Sequence, residues 1–474
     1  MFRRWLRATR TIHFRPDTSH LAFLVGIMAL FRAMTVPLTD PDQFWHLRAG
    51  EYIVTHDAVP MVDPFSFTMA GGPWTAHEWL YEVVMYLVYR LGGRWGLMAL
   101  NLLGLGVALG FSVALARLRG GGKFASAAWA AAAAMYMLPF VAFRPQIASY
   151  ALFTVFLYLL ERGRSRPRLW CWLPVLMLVW VNMHASFVMG LGLVALELAW
   201  AVRDAAMLKR LAVVFASTLL AALVNPHGIH LAVYSLTQAS SHVMRENIVE
   251  WASPDFKSIY GIAMALFLFV IVFRVLRSPF SRGQDIALLA VLTYMFLSSV
   301  RYAPYLLLWG AAANGFLTPS ARQPARVPWW LAGVTAAAVV GLVAVLLPPA
   351  SLQAGVSQKD FPVEIVDYMA TNPPDGHLFN DYGWGGYLIW RLWPQTRVFI
   401  DGRADLYMEG DVFEDYLQAT RLETDPQAIF ARYGVTWVLV RRHSPLAFYL
   451  NIAPGWVLVK EDAAGRLYRK AGSP

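Results

Sequence analysis

Apolar runs of near-spanning length recur along the first 350 residues, joined by short links that carry arginine, and this pattern leaves few folds open. A helix that crosses a bilayer needs about 20 mostly apolar residues. The runs 21–38, 96–116, 124–142, 146–161, 170–183, 185–202, 211–225, 260–276, 285–300, 303–317 and 329–348 approach or meet that length. They predict a polytopic α-helical membrane protein of about 11 spans. The amphipathic stretch 79–91 is expected to lie at the interface rather than to span. Asp, Glu, Lys and Arg make up 15% of the 474 residues, against roughly 25% in a soluble domain. A wholly soluble enzyme and a disordered chain are thereby excluded. Cys171 is the single cysteine, so an intrachain disulfide scaffold is excluded too.

Charge divides the chain. Of 30 acidic residues, 15 lie in residues 351–474. We therefore expect a transmembrane domain over 1–350, with a first outer loop at 39–78, and a soluble C-terminal domain over 351–474. Arg3, Arg4, Arg7, Arg10 and Arg15 precede the first apolar run, which has no small-residue cleavage site and reads as a retained span. With the N-terminus in the cytoplasm, cytoplasmic segments before residue 350 hold 20 Lys and Arg, and the opposite segments hold 7. Such a bias sets orientation. It predicts a multi-pass protein of the inner (cytoplasmic) membrane with an extracytoplasmic C-terminal domain. The net charge of +10 comes from these loop arginines and does not imply nucleic acid.

The polar clusters fall on the non-cytoplasmic side. Asp40-Pro41-Asp42-Gln43-Phe44-Trp45-His46 opens the first outer loop, and Trp74-Thr75-Ala76-His77-Glu78-Trp79 closes it. Arg144, His184, His227, the pair Glu246 and Glu250, and Arg301 follow at outer span ends and loops. Separate loops with complementary chemistry on one face point to a composite site, because ionisable groups at membrane depth are costly and are kept for function. Helix caps, headgroup-snorkelling arginines and interhelical histidines are the alternative for each. Asp40, followed by Pro41 and Gln43, fits a helix start. Asp42 and His46, four apart, share a helix face.

This arrangement resembles the GT-C glycosyltransferases. The resemblance rests on a cytoplasmic N-terminus, one span, a long outer loop with acidic residues at its start, many spans and a C-terminal outer domain. Pro41-Asp42-Gln43-Phe44-Trp45 is similar to the acidic Pro-Asp-Glu-x-Phe start of that loop, with Gln43 in place of the second acid. The resemblance covers about 350 residues. It implies a polyprenyl-phosphate-linked sugar donor, with Asp42 as catalytic candidate and Asp40 as the second. The chemistry suits these residues. A carboxylate can take the acceptor hydroxyl's proton, and a single displacement inverts the anomeric carbon. Arg144 and Arg301 suit the leaving phosphate, with His184 and His227 beside them. His46, His77, Glu78, Glu246, Glu250, Asp401 and Arg403 are candidates for the acceptor or loop site. The histidines, with Asp42 and Glu78, are donor types that suit zinc. No HExxH or tight pair appears, so no metal is assigned and a divalent cation stays open.

Residues 351–474 read as a small α/β domain. Helices are expected at 365–370, 412–420 and 426–433, and strands at 377–380, 396–400, 435–441, 456–461 and 466–469. Asn380-Asp381-Tyr382-Gly383 distantly resembles the Trp-Trp-Asp-Tyr-Gly region of oligosaccharyltransferases. Phe379 and Asn380 replace both tryptophans, which argues against asparagine-linked transfer. The expected function is a membrane hexosyltransferase acting on a glycan, lipid or protein acceptor. A transporter or flippase should show internal repeats, and none is found. A non-catalytic assembly protein is the remaining alternative.

Overall fold

The computed structural model describes residues 17–319, 325–408 and 410–472. The orientation arginines at 3, 4, 7, 10, 15 and 322 lie outside the described residues. Helices follow the expected apolar runs, with α2 lying instead in the loop 39–78: α1 (Thr18–Thr35), α2 (Asp42–His56), α3 (Trp79–Leu118), α4 (Lys123–Tyr136), α5 (Gln146–Gly163), α6 (Trp172–Met183), α7 (Phe187–Trp200) and α8 (Ala205–Ala222). Two helices between the apolar runs come next, α9 (Ile229–Ser240) and α10 (His242–Asn247). The apolar series ends with α11 (Ile259–Arg277), α12 (Gly283–Ser298), α13 (Ala303–Phe316) and α14 (Trp329–Leu346). Four of these, α1, α3, α8 and α11, are long and apolar enough to cross a membrane. The helices under the remaining runs are shorter or less apolar than that.

Sequence explains where the helices start. Asp17 caps α1 through Ser19 N–H, and Asp204 caps α8 through Ala206 and Met207 N–H. Such a cap is worth about 1 kcal/mol. Every residue of α13 is buried, as an all-round apolar helix requires when it sits at the centre of a bundle. The expected interfacial stretch 79–91 and the following run join in α3, divided by Gly93 at φ +55°. A Cβ there would stand 2.5 Å from the Ala350 carbonyl, so glycine is required by both conformation and contact. Next to it, buried Arg94 donates to the Met34 and Val36 carbonyls and holds the C-terminal end of α1.

The C-terminal part adds α15 (Val363–Thr371), β1 (His377–Asn380), α16 (Gly385–Leu392), α17 (Ala404–Met408), α18 (Val412–Arg421), α19 (Pro426–Arg432), β2 (Val435–Arg441), α20 (Pro445–Ile452), β3 (Trp456–Glu461) and β4 (Gly465–Lys470). Sheet order is β1-β2-β4-β3, with β1 parallel to β2 and the other pairs antiparallel. One expected strand is corrected. Residues 396–400 do not join the sheet; Val398 makes a single bridge to Ser66, and Phe399 N–H donates to the Asn380 side chain. The loop 39–78 has captured that segment's backbone through Phe65, Ser66 and Phe67.

Apolar side chains gather in two cores. One lies among the helices from α1 to α13. The other joins Phe44, Trp45, Phe65 and Trp74 of residues 39–78 to Leu378, Trp384, Tyr387 and Val438 of the C-terminal part. The loop and the C-terminal part thus share one interior, although some 300 residues separate them in the chain.

Candidate functional site

Asp42 is the first residue of α2, with Pro41 as its N-cap in helical conformation. Asp40 Oδ1 accepts from Asp42 N–H at 2.9 Å, the helix-start bond that its position predicts. The other Asp40 oxygen lies 3.3 Å from Arg144 Nη1. Arg144 also pairs with Asp42 through Nη2 and with Glu250 through Nη1. Three carboxylates from two loops therefore share one guanidinium. Trp45 Nε1–H donates to the second Asp42 oxygen at 3.2 Å. Burial pushes the Asp42 carboxyl up, to about 7, against the pull of Arg144 and with the help of Asp40 and Glu250. Arg144 stays a firm cation: its carboxylates outweigh the burial that would lower it.

These groups face a cavity of about 930 Å³ between the helices and the C-terminal part. Arg301 lines it as well, its guanidinium 4.0 Å from the Trp251 ring centroid. A second polar group lies on the same wall. Glu78 precedes α3 and is met by His46 Nδ1 at 3.5 Å, His184 Nε2 at 3.3 Å and His77 Nε2 at 3.6 Å. His46 Nδ1 also bonds Glu82 at 2.9 Å. Burial holds His46 and His184 low, at about 3, despite Glu78, so both rings are neutral. Burial would raise Glu78, but His77, through charge and a hydrogen bond, holds it below the ordinary carboxylate range.

Tyr382, Gly402 and Asp405 close the cavity from the C-terminal part. Tyr234 of α9 donates to Asp405 at 2.8 Å. A Cβ on Gly402 would stand 1.9 Å from Asp42 Oδ1, so glycine is what allows the Asp401–Arg403 turn to reach the acid.

The structure brings Asp40, Asp42, Arg144, Arg301, His46, His77, Glu78, His184 and Glu250 to one cavity. It does not bring Asp401, His227 or Glu246 there. Asp401 is fully buried in a lock with Arg403, Asp63 and Tyr407; Arg403 Nη1 meets Asp63 at 2.7 Å and its Nη2 meets Asp401 at 2.7 Å. Arg403 borders the cavity, but its guanidinium is spent in that lock, 4.6 Å from the Trp74 ring centroid. Glu246 is exposed and pairs with His242. His227 does not line the cavity, and its backbone N–H donates to the Asn225 side chain. Glu82, Gly402 and Tyr234 were not singled out as site residues. Only Glu82 carried a signal, its spacing of four from Glu78 on one helix face.

The chain superposes on the archaeal oligosaccharyltransferase AglB from Archaeoglobus fulgidus, solved with an inhibitory peptide and a dolichol-phosphate. The TM-score is 0.59 at 11% identity, over 89% of this chain and 69% of that one. It also superposes on ArnT from Cupriavidus metallidurans bound to undecaprenyl phosphate, with a TM-score of 0.55 at 15% identity, over 96% and 98%. The fold is the GT-C fold. No family model and no curated protein sequence matches the chain. Within the GT-C fold, the polar cavity of this chain lies where residues 39–78 meet its C-terminal part.

Proposed function

We propose that the chain is a membrane glycosyltransferase that moves a sugar from a polyprenyl phosphate to an acceptor hydroxyl. The observation that carries this reading is Asp42. It is a cavity-lining carboxylate at the start of the first outer loop, with a pKa raised to about 7 and an arginine beside it, in a GT-C fold. Two superposed transferases, named above, were solved with a dolichol-phosphate and an undecaprenyl phosphate.

In this reading the ionised Asp42 takes the acceptor O–H proton. The acceptor oxygen then bonds to the anomeric carbon as the carbon–oxygen bond to phosphate breaks, and the polyprenyl phosphate leaves with that electron pair. One displacement inverts the anomeric carbon. Arg301 is the cation best placed for the phosphate, since among the described residues it has no carboxylate at ion-pair distance. Arg144 holds Asp42 and Asp40 in place and is freed for phosphate only if Glu250 lets go. The acceptor is read as a hydroxyl rather than an asparagine amide. Asn380 supports this: it is fully buried, bonded to Ile400 O and Phe399 N, and so is part of the β1 core rather than a peptide groove. The reading carries an extracytoplasmic site in the inner membrane, with about 11 spans, as the arginine distribution predicts.

The test is incubation of purified protein with a panel of labelled polyprenyl-phosphate sugars and membrane lipid extract, followed by product analysis. Asp42→Asn keeps the shape and removes the base. Turnover is expected to fall at least ~10²-fold while the protein stays folded and inserted. Near-normal turnover of the Asn variant would leave Asp42 as a helix-start residue only.

A further inference from the structure

Glu78 and Glu82 put two carboxyl groups close together in a buried place, 6% and 1% exposed, beside His46 at 1%. One donor atom from each of the three residues lies within 4.8 Å of the others. Among the described residues, the ion-pair partners of these two glutamates are histidines only. Among them, Glu82 Oε2 has no hydrogen-bond partner. A buried oxygen left in that state is costly and calls for an explanation.

We propose that His46, Glu78 and Glu82 bind one divalent cation of the zinc class, with His184 and His77 fixing the orientation of Glu78. His46 Nδ1 lies at an ordinary hydrogen-bond distance from one glutamate, 2.9 Å to Glu82 Oε1, and farther from the other. His46 to Glu78 is 3.5 Å, longer than an ordinary N–H···O bond of about 2.7–3.2 Å. It is close to the roughly 3.3 Å edge of a tetrahedron built with zinc bonds of 2.0–2.1 Å. Glu82 Oε2 is the free acceptor that such an ion would take up. His184 and His77 meet Oε1 of Glu78, while His46 meets Oε2, so one oxygen faces the three-residue centre and the other is held from behind. Outer partners of that kind hold a metal-ligating carboxylate in place. One imidazole and two carboxylates suit zinc, whereas magnesium and calcium prefer all-oxygen sets. All three residues line the cavity, so a fourth position opens into it.

The ion would tie α2, through His46, to the start of α3, through Glu78 and Glu82. Asp42 lies one turn before His46 on α2, so the ion would also fix the direction of the proposed base. That last role rests on the function proposed above; the binding site itself does not.

The experiment uses the full-length protein purified in detergent without a polyhistidine tag, stripped with chelator and titrated with Co²⁺. The expected result is one Co²⁺ per chain with the visible absorption of a low-coordinate site, displaced by Zn²⁺ and not by Mg²⁺. Glu82→Gln should abolish that absorption, and His184→Gln, which lies outside the ligand set, should weaken binding ~10–100-fold. No stoichiometric Co²⁺, displacement by Mg²⁺, or wild-type binding by monodisperse Glu82→Gln would overturn the proposal. Should Glu82→Gln fail to fold, unchanged binding by His184→Gln would overturn it instead. Because the readout is metal binding, a protein that binds Co²⁺ but transfers no sugar would sink the transferase reading and keep the site, and the reverse outcome would do the opposite.

Discussion

Arg144 is shared by Asp40, Asp42 and Glu250, and this sharing sets what Asp42 can do. Alone with Arg144, a carboxylate would be held ionised and poorly basic. Burial and two further acids reverse that and raise Asp42 to about 7. Only the ionised form accepts a proton, so the acid limb of kcat/KM should fall about tenfold per pH unit below about 7. A pH–rate profile of the purified protein checks this; a limb in the ordinary carboxylate range would show that the site is not dry during turnover. A lysine at position 144 cannot reproduce a planar fork that spans three acids. One charge-assisted hydrogen bond is worth about 1.5–3 kcal/mol, so Arg144→Lys should lower turnover by ~10- to 150-fold. Wild-type rates for the lysine variant would make Arg144 a simple countercharge.

Among the elements, the turn between residue 400 and α17 meets the start of α2 at Asp42. Asp401 and Arg403 anchor that turn to Asp63 of the first outer loop, and Gly402 at its tip touches Asp42. An added methyl at 402 would fall 1.9 Å from the Asp42 oxygen and 3.3 Å from Trp45 Nε1. Overpacking of this kind costs about 1–3 kcal/mol. A displacement of a reacting group by about 1 Å can cost ~10²-fold in rate. Gly402→Ala should therefore lower turnover far more than its modest drop in Tm explains. Thermal unfolding and turnover measured on the same preparation separate the two effects. Equal small losses in both would mean that the turn is only packed against Asp42. Gly50 plays the matching part on α2, where a Cβ would meet the Glu82 carbonyl at 2.0 Å; this close approach lets α2 lie on α3.

At the scale of the whole molecule, two cores are stacked in one chain. The helical core holds the apolar runs. The other core interleaves residues 39–78 with residues 352–468, so the cavity wall is assembled from both ends of the sequence. The reading of the cavity as extracytoplasmic is open to a direct test. In a Cys171→Ser background, single cysteines at the exposed positions Ser165 and His443 should react with an impermeant thiol reagent from opposite sides of the membrane, His443 from outside. Labelling of both from one side would overturn the orientation drawn from the arginine bias.

The helical fold and the small sheet were legible in the sequence because their signals are local. Apolar runs, caps at Asp17 and Asp204, and the Asp462 turn between β3 and β4 all depend on residues a few positions apart. Asp42 was legible for the same reason, in a short acidic helix start followed by aromatic residues. The partners of Asp42 were not. Arg144 and Glu250 reach it across more than 100 and 200 residues, and the turn at Gly402 across 360. No periodicity in a single sequence records which oxygen a distant guanidinium meets. Asp401 and Arg403 carry the same residue types as a binding groove, yet the structure buries them as a lock, because burial depends on what packs above them and not on their own chemistry. The segment 396–400 had a strand's composition and lost its place in the sheet to a bridge with Ser66. Sequence by itself determined the elements and the acid at the head of the loop. Tertiary structure decided which charges face that acid, since Coulomb interactions follow distance in space and are blind to distance along the chain.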